Sequence, residues 1–331
     1  MEYSEEHTFN ETYDFAVVNH HYWVNNWITQ EMVQQFGKPV FCIVTEVTFG
    51  EHPMGMTPNF FTGYLVLDPS IKDTDNMWGF PRPLEQADLV YKPTEIPIIG
   101  SFGFATGGKD WHKIMELVNN EFDHAIIRFN IPKGTYVQDE THNENINQIR
   151  EQALTILTKQ GISFELTHNN YTKPELIEWC SKNTINVFLY NRNYTCGLSA
   201  VTDQAIVSKR PLLVSSDLTF RHIHQYIPHY PQIGIKQAIE QTGEGVLKMN
   251  HDWSPEVFLK KFENRLAGIH DRITDINVSY DQVLNRIFIH LMIGKKPAEL
   301  NINLSCHDFL CPYIQGMDSN DQYYSLFKSL N

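Results

Sequence analysis

The sequence predicts an α/β protein built from two Rossmann-like lobes, the first of them short, with a mainly helical C-terminal tail. Three observations lead there. The chain has 331 residues, more than one ordinary core and enough for two. Short apolar, β-branched segments alternate with segments of helical period, which is the grammar of a parallel sheet. Two glycine-bearing loops stand where a strand gives way to a helix.

In the first lobe, Asp14 to Val18 (DFAVV) reads as a buried strand. The spacing of Trp27, Ile28, Met32 and Phe36 predicts a helix, which Gly37 and Pro39 stop. Trp23 and Trp27 are expected to pack that helix on its sheet. Strands are predicted from Pro39 to Val47 and from Tyr64 to Asp68. Residues 69–97 are rich in Pro, Asp and Lys without sustained period, so they read as a connection, with the lobe boundary near Thr94. The domains are then 1–93, 94–265 and a C-terminal extension, 266–331.

The second lobe opens with a strand to Ile99, a loop from Gly100 to Gly108 and a helix through Trp111, Ile114, Met115 and Val118. The strand HAIIRFNIP comes next. Ile146, Ile149, Ala153, Leu154 and Leu157 share a helical face in the next segment, and ISFELTH is a strand. The helix KPELIEWCSKN, the strand INVFLYN, the loop NRNYTCG, the helix SAVTDQAIVSK and the strand PLLVSS complete a doubly wound lobe. A helix through Phe258, Phe262 and Leu266 leads into the tail.

Composition narrows the function classes. With 42% hydrophobic and 20% charged residues the chain is globular, and no run reaches the ~20 apolar residues of a spanning helix. The amino terminus is acidic where a leader peptide is basic, and the five cysteines are odd in number and lack a CxxC pair. Both features point to the cytoplasm and reduced thiols. A net charge of −13 with scattered Lys and Arg argues against charge-driven binding of nucleic acid. An anionic small molecule needs only a local nest of donors, and self-association is left open.

Two loops suit an anion. GSFGFATGGK supplies Gly103 and three further glycines and ends on Lys109, although it is neither a Walker loop nor a GxGxxG motif. A flexible turn before a helix explains it as well. NYTCGLSAVTDQA puts Gly197, followed by Leu198, at a strand-to-helix turn and Ser199 and Thr202 in the first helical turn, where N–H groups are unpaired, and Ser199 reads equally as an amino-terminal cap. Arg128 and Arg210 are additional cations, Arg128 being read at its strand's end.

Taken in chain order, IPIIGSFGF with GGKDWHKIMELV, HAIIRFNIP, TKPELIEWCSKNTINVFLYN and GLSAVTDQAIVSKRPLLVSSD resembles the donor lobe of GT-B glycosyltransferases of the glycogen-synthase-like retaining group. The resemblance covers about Ile96 to Lys261. It matches Lys109 to the lysine of the first loop, Lys173 to Leu176 to the helix opening before a strand, and Lys209 to Ser215 to the last strand. It implies a GT-B fold and hexosyl transfer from a nucleoside-diphosphate sugar, a co-substrate, to an unknown acceptor, with no other cofactor and no protein-bound metal.

The sequence also departs from that pattern. Two glutamates around the helix glycine are replaced by Cys196 and Gln204, with Asp203 alongside, so Asp203 or Gln204 is left to meet the donor ribose. The arginine that accompanies the loop lysine is missing, and the first lobe is shortened. His20 and His21, after the first strand, are the acceptor-side catalytic candidates, with an ordinary loop pair as the other reading. Arg221, His222, His224 and His229 lack the carboxylates of a metal site. The departures keep a second function open, a non-catalytic GT-B-like nucleotide-binding or assembly protein. A nicotinamide-dependent Rossmann enzyme fits the alternation but not the motifs.

Overall fold

A computed structural model describes residues 15–20, 27–45, 47–48, 50, 55–134, 137–192 and 196–267, and the strand backbones within 275–303. The chain divides into two compact units. One comprises residues 82–257 with a short later segment; the other comprises the chain up to Pro81 and most of the residues from Phe258 onward. The division falls at Pro81–Arg82, ahead of Thr94, because Leu84 is buried in the second unit's core and its N–H bonds Trp253 O.

In the first unit, β1 (Ala16–His20), β2 (Val40–Val44), β3 (Gly63–Val66) and β4 (Met77–Gly79) form a parallel sheet in sequential order. Strands β2 and β3 are buried along their whole length, so they read as unbroken apolar runs. Helix α1 (Gln30–Phe36) starts after Thr29, whose side chain accepts from Met32 N, and stops at Gly37 with φ +65°. Trp27 precedes this helix and is 42% exposed, contrary to the packing role expected of it. Trp23 and His21 lie outside the described residues.

The second unit holds a five-stranded parallel sheet in the order β7-β6-β5-β8-β9. These strands are β5 (Ile98–Phe102), β6 (Ala125–Asn130), β7 (Ile162–Thr167), β8 (Ile185–Phe188) and β9 (Leu212–Val214). The linking helices are α2 (Trp111–Glu121), α3 (Asp139–Ile156), α4 (Lys173–Ser181) and α5 (Val201–Val207). Sequence order reverses between β5 and β8, and the helices that follow them, α2 and α5, pack on opposite faces of the sheet. That is the switch point at which open sheets of this kind take a ligand. Helix α4 is opened by a capping box, in which Glu175 Oε2 accepts from Thr172 N and Oγ1 at 2.8 Å each.

Several details differ from the sequence expectations. Gly100 belongs to β5 and not to the glycine loop: a Cβ there would stand 1.9 Å from Asn183 Nδ2, so it is a packing glycine. Leu154 is 84% exposed, because Ile146, Ile149 and Ala153 already make the buried stripe of α3. Helix α5 begins at Val201, which leaves Ser199 outside it. The tail is not mainly helical. After α8 (Pro255–Ala267) come three antiparallel strands, β10 (Asp275–Asp281), β11 (Arg286–Ile293) and β12 (Lys296–Asn303). The period-2 alternation in β10, with Asp275, Asn277, Ser279 and Asp281 against Ile276, Val278 and Tyr280, is a strand pattern. Helices α6 (Ile235–Gln241) and α7 (Gly243–Asp252) complete the second unit.

Candidate functional site at the switch point

The loops after β5 and β8 are stitched to each other. Asp110 N donates to Leu189 O and Asn191 N to Gly108 O, both at 2.8 Å, and Lys109 bridges Tyr190. This zipper fixes where Lys109 goes. The sequence suggests a solvated loop lysine, but its ammonium is enclosed although the residue as a whole is partly exposed. Its Nζ donates to Phe104 O at 2.8 Å and lies 5.7 Å from the Tyr190 ring centroid and 6.0 Å from that of Trp111. Among the described residues no carboxylate reaches ion-pair distance of it. Burial, and secondarily the Arg192 guanidinium, push its pKa down to about 7.

Gly103, with φ +130°, is the other wall. A Cβ there would come within 2.6 Å of Lys109 Nζ and 3.5 Å of Val201 Cγ1. So Gly103, Lys109 and the start of α5 do converge.

The structure adds a cation that sequence reasoning missed. Arg192, on the loop after β8, stacks 4.7 Å over the Tyr190 ring and donates Nη2 to Thr106 Oγ1 at 2.9 Å. Its Nε is buried and meets no acceptor among the described residues. Gly108 makes room for it, since a Cβ there would lie 2.5 Å from Arg192 Cγ. The backbone at Arg192 is held by Asp217 Oδ2, which accepts its N–H at 2.8 Å. Tyr190 is therefore a platform carrying two cations on its ring, and its hydroxyl accepts from Ser199 Oγ at 3.4 Å. The available signal was a cation a few residues past β8, in the stretch NRNYTCG.

The remaining candidates are placed as follows. Gly197 has φ +77°, and Leu198 and Ser199 come after it on the loop before α5. Asp203 is buried with both carboxylate oxygens taken by Arg82, Nε to Oδ2 at 2.8 Å and Nη2 to Oδ1 at 3.0 Å. Gln204 is buried in α5. Arg128 lies two residues short of the end of β6, with its guanidinium 5.0 Å over Trp179 and Nη1 donating to Asn183 Oδ1 at 3.1 Å. It packs the sheet face and is not brought to the loops. Arg210 stacks on Tyr91 and donates to Asn183 O, at the amino end of β9. In the first unit His20 is buried at the end of β1, edge-on to Phe61 at 5.7 Å. His224 and His229 stack at 4.2 Å, and among the described residues no group of three or more His, Cys, Asp or Glu is arranged to hold a metal ion.

An enclosed lysine with no carboxylate partner among the described residues lies beside a guanidinium at the switch point of a 3-2-1-4-5-type sheet, a combination whose chemistry suits an anion. Solved structures share this arrangement of elements. The N-terminal domain of Candida albicans trehalose-6-phosphate phosphatase superposes with a TM-score of 0.55 at 9% identity, covering 76% of this chain and 70% of that one. A UDP-forming α,α-trehalose-phosphate synthase from Burkholderia xenovorans gives 0.53 at 10% identity, covering 77% and 74%. An E. coli trehalose-6-phosphate structure bound with UDP-2-fluoro glucose gives 0.50 at 9% identity, covering 72% and 70%.

This chain has the GT-B fold. No protein-family model matches it, and no curated protein matches it in sequence. Within the GT-B fold, the β5–β9 unit is the lobe that the sequence resemblance singles out. No helix among the described residues is long and apolar enough to cross a membrane.

Proposed function

We propose that this protein binds a nucleoside-diphosphate sugar at the β5/β8 switch point and transfers its sugar to an acceptor hydroxyl. The observation that carries the reading is Lys109: an enclosed ammonium with no carboxylate partner among the described residues, next to Arg192, in a cradle that Gly103 keeps open. In the reaction the bond from the anomeric carbon to the diphosphate breaks, the acceptor oxygen bonds to that carbon, and the acceptor's proton is released. Negative charge grows on the departing diphosphate, and fixed donors placed there stabilise it more than they stabilise the bound substrate. Lys109 and Arg192 are assigned to that charge, with the loop at Gly197, Leu198 and Ser199 as the third side. The acceptor-side candidates of the sequence, His20 and His21, are assigned no step here; His20 is buried in the first unit. Binding of UDP-2-fluoro glucose by one protein of the same fold agrees with the ligand class.

UDP, GDP and ADP at millimolar concentration test the reading by mass action on the melting temperature. At least one should raise it, and Lys109→Ala should weaken that nucleotide by roughly ten- to a hundredfold, as expected for a charge-assisted phosphate contact. No shift with any of the three would sink the site. A second reading, nucleotide binding without transfer, is favoured by the capture of Asp203 by Arg82, which leaves that carboxylate engaged away from a ribose. Ligand binding with no detectable donor hydrolysis or transfer would select it.

A further inference from the structure

The loop from Gly197 to Ala200 has its carbonyls gripped by arginines. Gly197 O accepts from Arg221 Nη1 at 3.2 Å, Leu198 O from Arg82 Nη1 at 3.5 Å, and Ser199 O from Arg82 Nη2 at 3.0 Å. Thr202 Oγ1 also donates to Ser199 O, at 3.0 Å. In a trans peptide the carbonyl of one residue and the N–H of the next point in opposite directions. Each grip therefore turns the following N–H away from its guanidinium. Ser199 N–H finds Thr219 O at 2.9 Å, whereas no acceptor among the described residues is found for the N–H groups of Leu198 and Ala200. Helix α5 is only seven residues long, so its dipole adds little and the loop's own peptide orientation matters more.

Arg82 can hold this geometry because it is itself fixed. Its fork closes on Asp203 through two parallel hydrogen bonds, the arrangement that best orients a guanidinium. Both side chains are largely sequestered, at 16% and 7% exposure, so water competes little for the pair.

We propose that Arg82 is a positioning residue: locked by Asp203, it sets the peptide planes from Leu198 to Ala200 so that the Ala200 N–H is presented to a phosphate beside Lys109 and Arg192, next to the Leu198 N–H that Arg221 orients through Gly197 O. The proposal rests on the reading of the switch point as an anion site. It gives Asp203 a role at the site that involves no contact with ligand.

The test is calorimetric titration of inorganic pyrophosphate into the full chain, with hydrogen exchange of the 197–203 segment followed by mass spectrometry. Arg82→Met should weaken pyrophosphate about tenfold or more and speed exchange in that segment. Asp203→Asn supplies the decisive sign. It removes a negative charge near the site, so electrostatics alone would tighten the anion, whereas loss of the lock weakens it. The double variant should be no weaker than Arg82→Met alone, because both act through one loop. Tighter binding by Asp203→Asn, or unchanged exchange at 197–203 in Arg82→Met, would overturn the proposal. Arg82→Lys keeps the charge without the fork and serves if the methionine variant fails to fold. Should the wild-type protein ignore pyrophosphate, the anion-site reading falls, and the exchange result alone still decides whether Arg82 sets the loop.

Discussion

At the scale of the residue, Lys109 is a conflict between folding and binding. Its pKa of about 7 lies below the ordinary 10.5, so between those values the unfolded chain holds the extra proton. Stability therefore rises with pH across that window, and below about 7 the burial cost is borne in full. Lys109→Met should raise stability by up to a few kcal/mol at pH 6, with a gain that shrinks toward pH 10, as unfolding at several pH values will show. An anion placed beside the amine favours its charged form and draws the pKa back up. Binding of a diphosphate thus takes up a proton. At pH 8, where the terminal phosphate of UDP is already deprotonated, titration in buffers of different ionisation enthalpy should register uptake approaching one proton with the wild-type chain and none with Lys109→Met. A variant that neither gains stability nor loses proton uptake would mean that the ammonium is not the site's cation. Lys109 was legible in the sequence, from its place at the end of a glycine loop after a strand. Its burial was not, because the enclosure comes from Tyr190 and Arg192, on a loop some eighty residues away, zipped alongside by hydrogen bonds between main-chain atoms.

Elements were legible to the degree that local pattern determines them. Strands β5, β6, β8 and β9 were read because a parallel sheet covered on both faces demands continuous Val, Ile and Leu runs. Strand β4 was missed: Met77–Gly79 is three residues in a polar, turn-rich stretch and is a strand only because β3 offers it an edge. The antiparallel strands of the tail were missed as well, where alternation with Asp, Asn and His dilutes the apolar signal. Helix α6 shows a different dependence, since its first turn is capped from far away. Glu121, at the end of α2, accepts from Ile235 N at 3.2 Å and Lys236 N at 2.8 Å, and Gly234 lets the carboxylate approach. A carboxylate at that position satisfies two orphan donors and complements the helix dipole. Glu121→Ala should destabilise the protein by about 1–2 kcal/mol, seen in the denaturation midpoint, while leaving nucleotide affinity unchanged. A loss of affinity alongside would tie α6 to the site, which its place on the sheet does not suggest.

For the molecule as a whole, a cationic nest sits in a chain of net charge −13, and the two scales of charge act in opposite directions on an anionic ligand. On the proposed reading, contacts of a bound nucleotide with Lys109 and Arg192 would be short and enclosed, so salt would screen them weakly. Repulsion from the scattered carboxylates is long-ranged and runs through solvent, where the Debye length falls from about 30 Å at 0.01 M salt to about 10 Å at 0.1 M. An exposed basic patch would lose affinity over that range, as counter-ions compete for it. Here the repulsion is screened first. Affinity for UDP should accordingly stay level or rise as monovalent salt goes from about 0.01 to 0.1 M, with the association rate carrying the increase. Calorimetry across that range, using chloride salts to limit anion competition, checks the equilibrium, and stopped-flow mixing checks the rate. A steep fall in affinity over the same interval would mean that the nucleotide is held by solvated surface cations such as Lys113 or Lys133, and it would remove the enclosed Lys109–Arg192 pair from the binding mechanism.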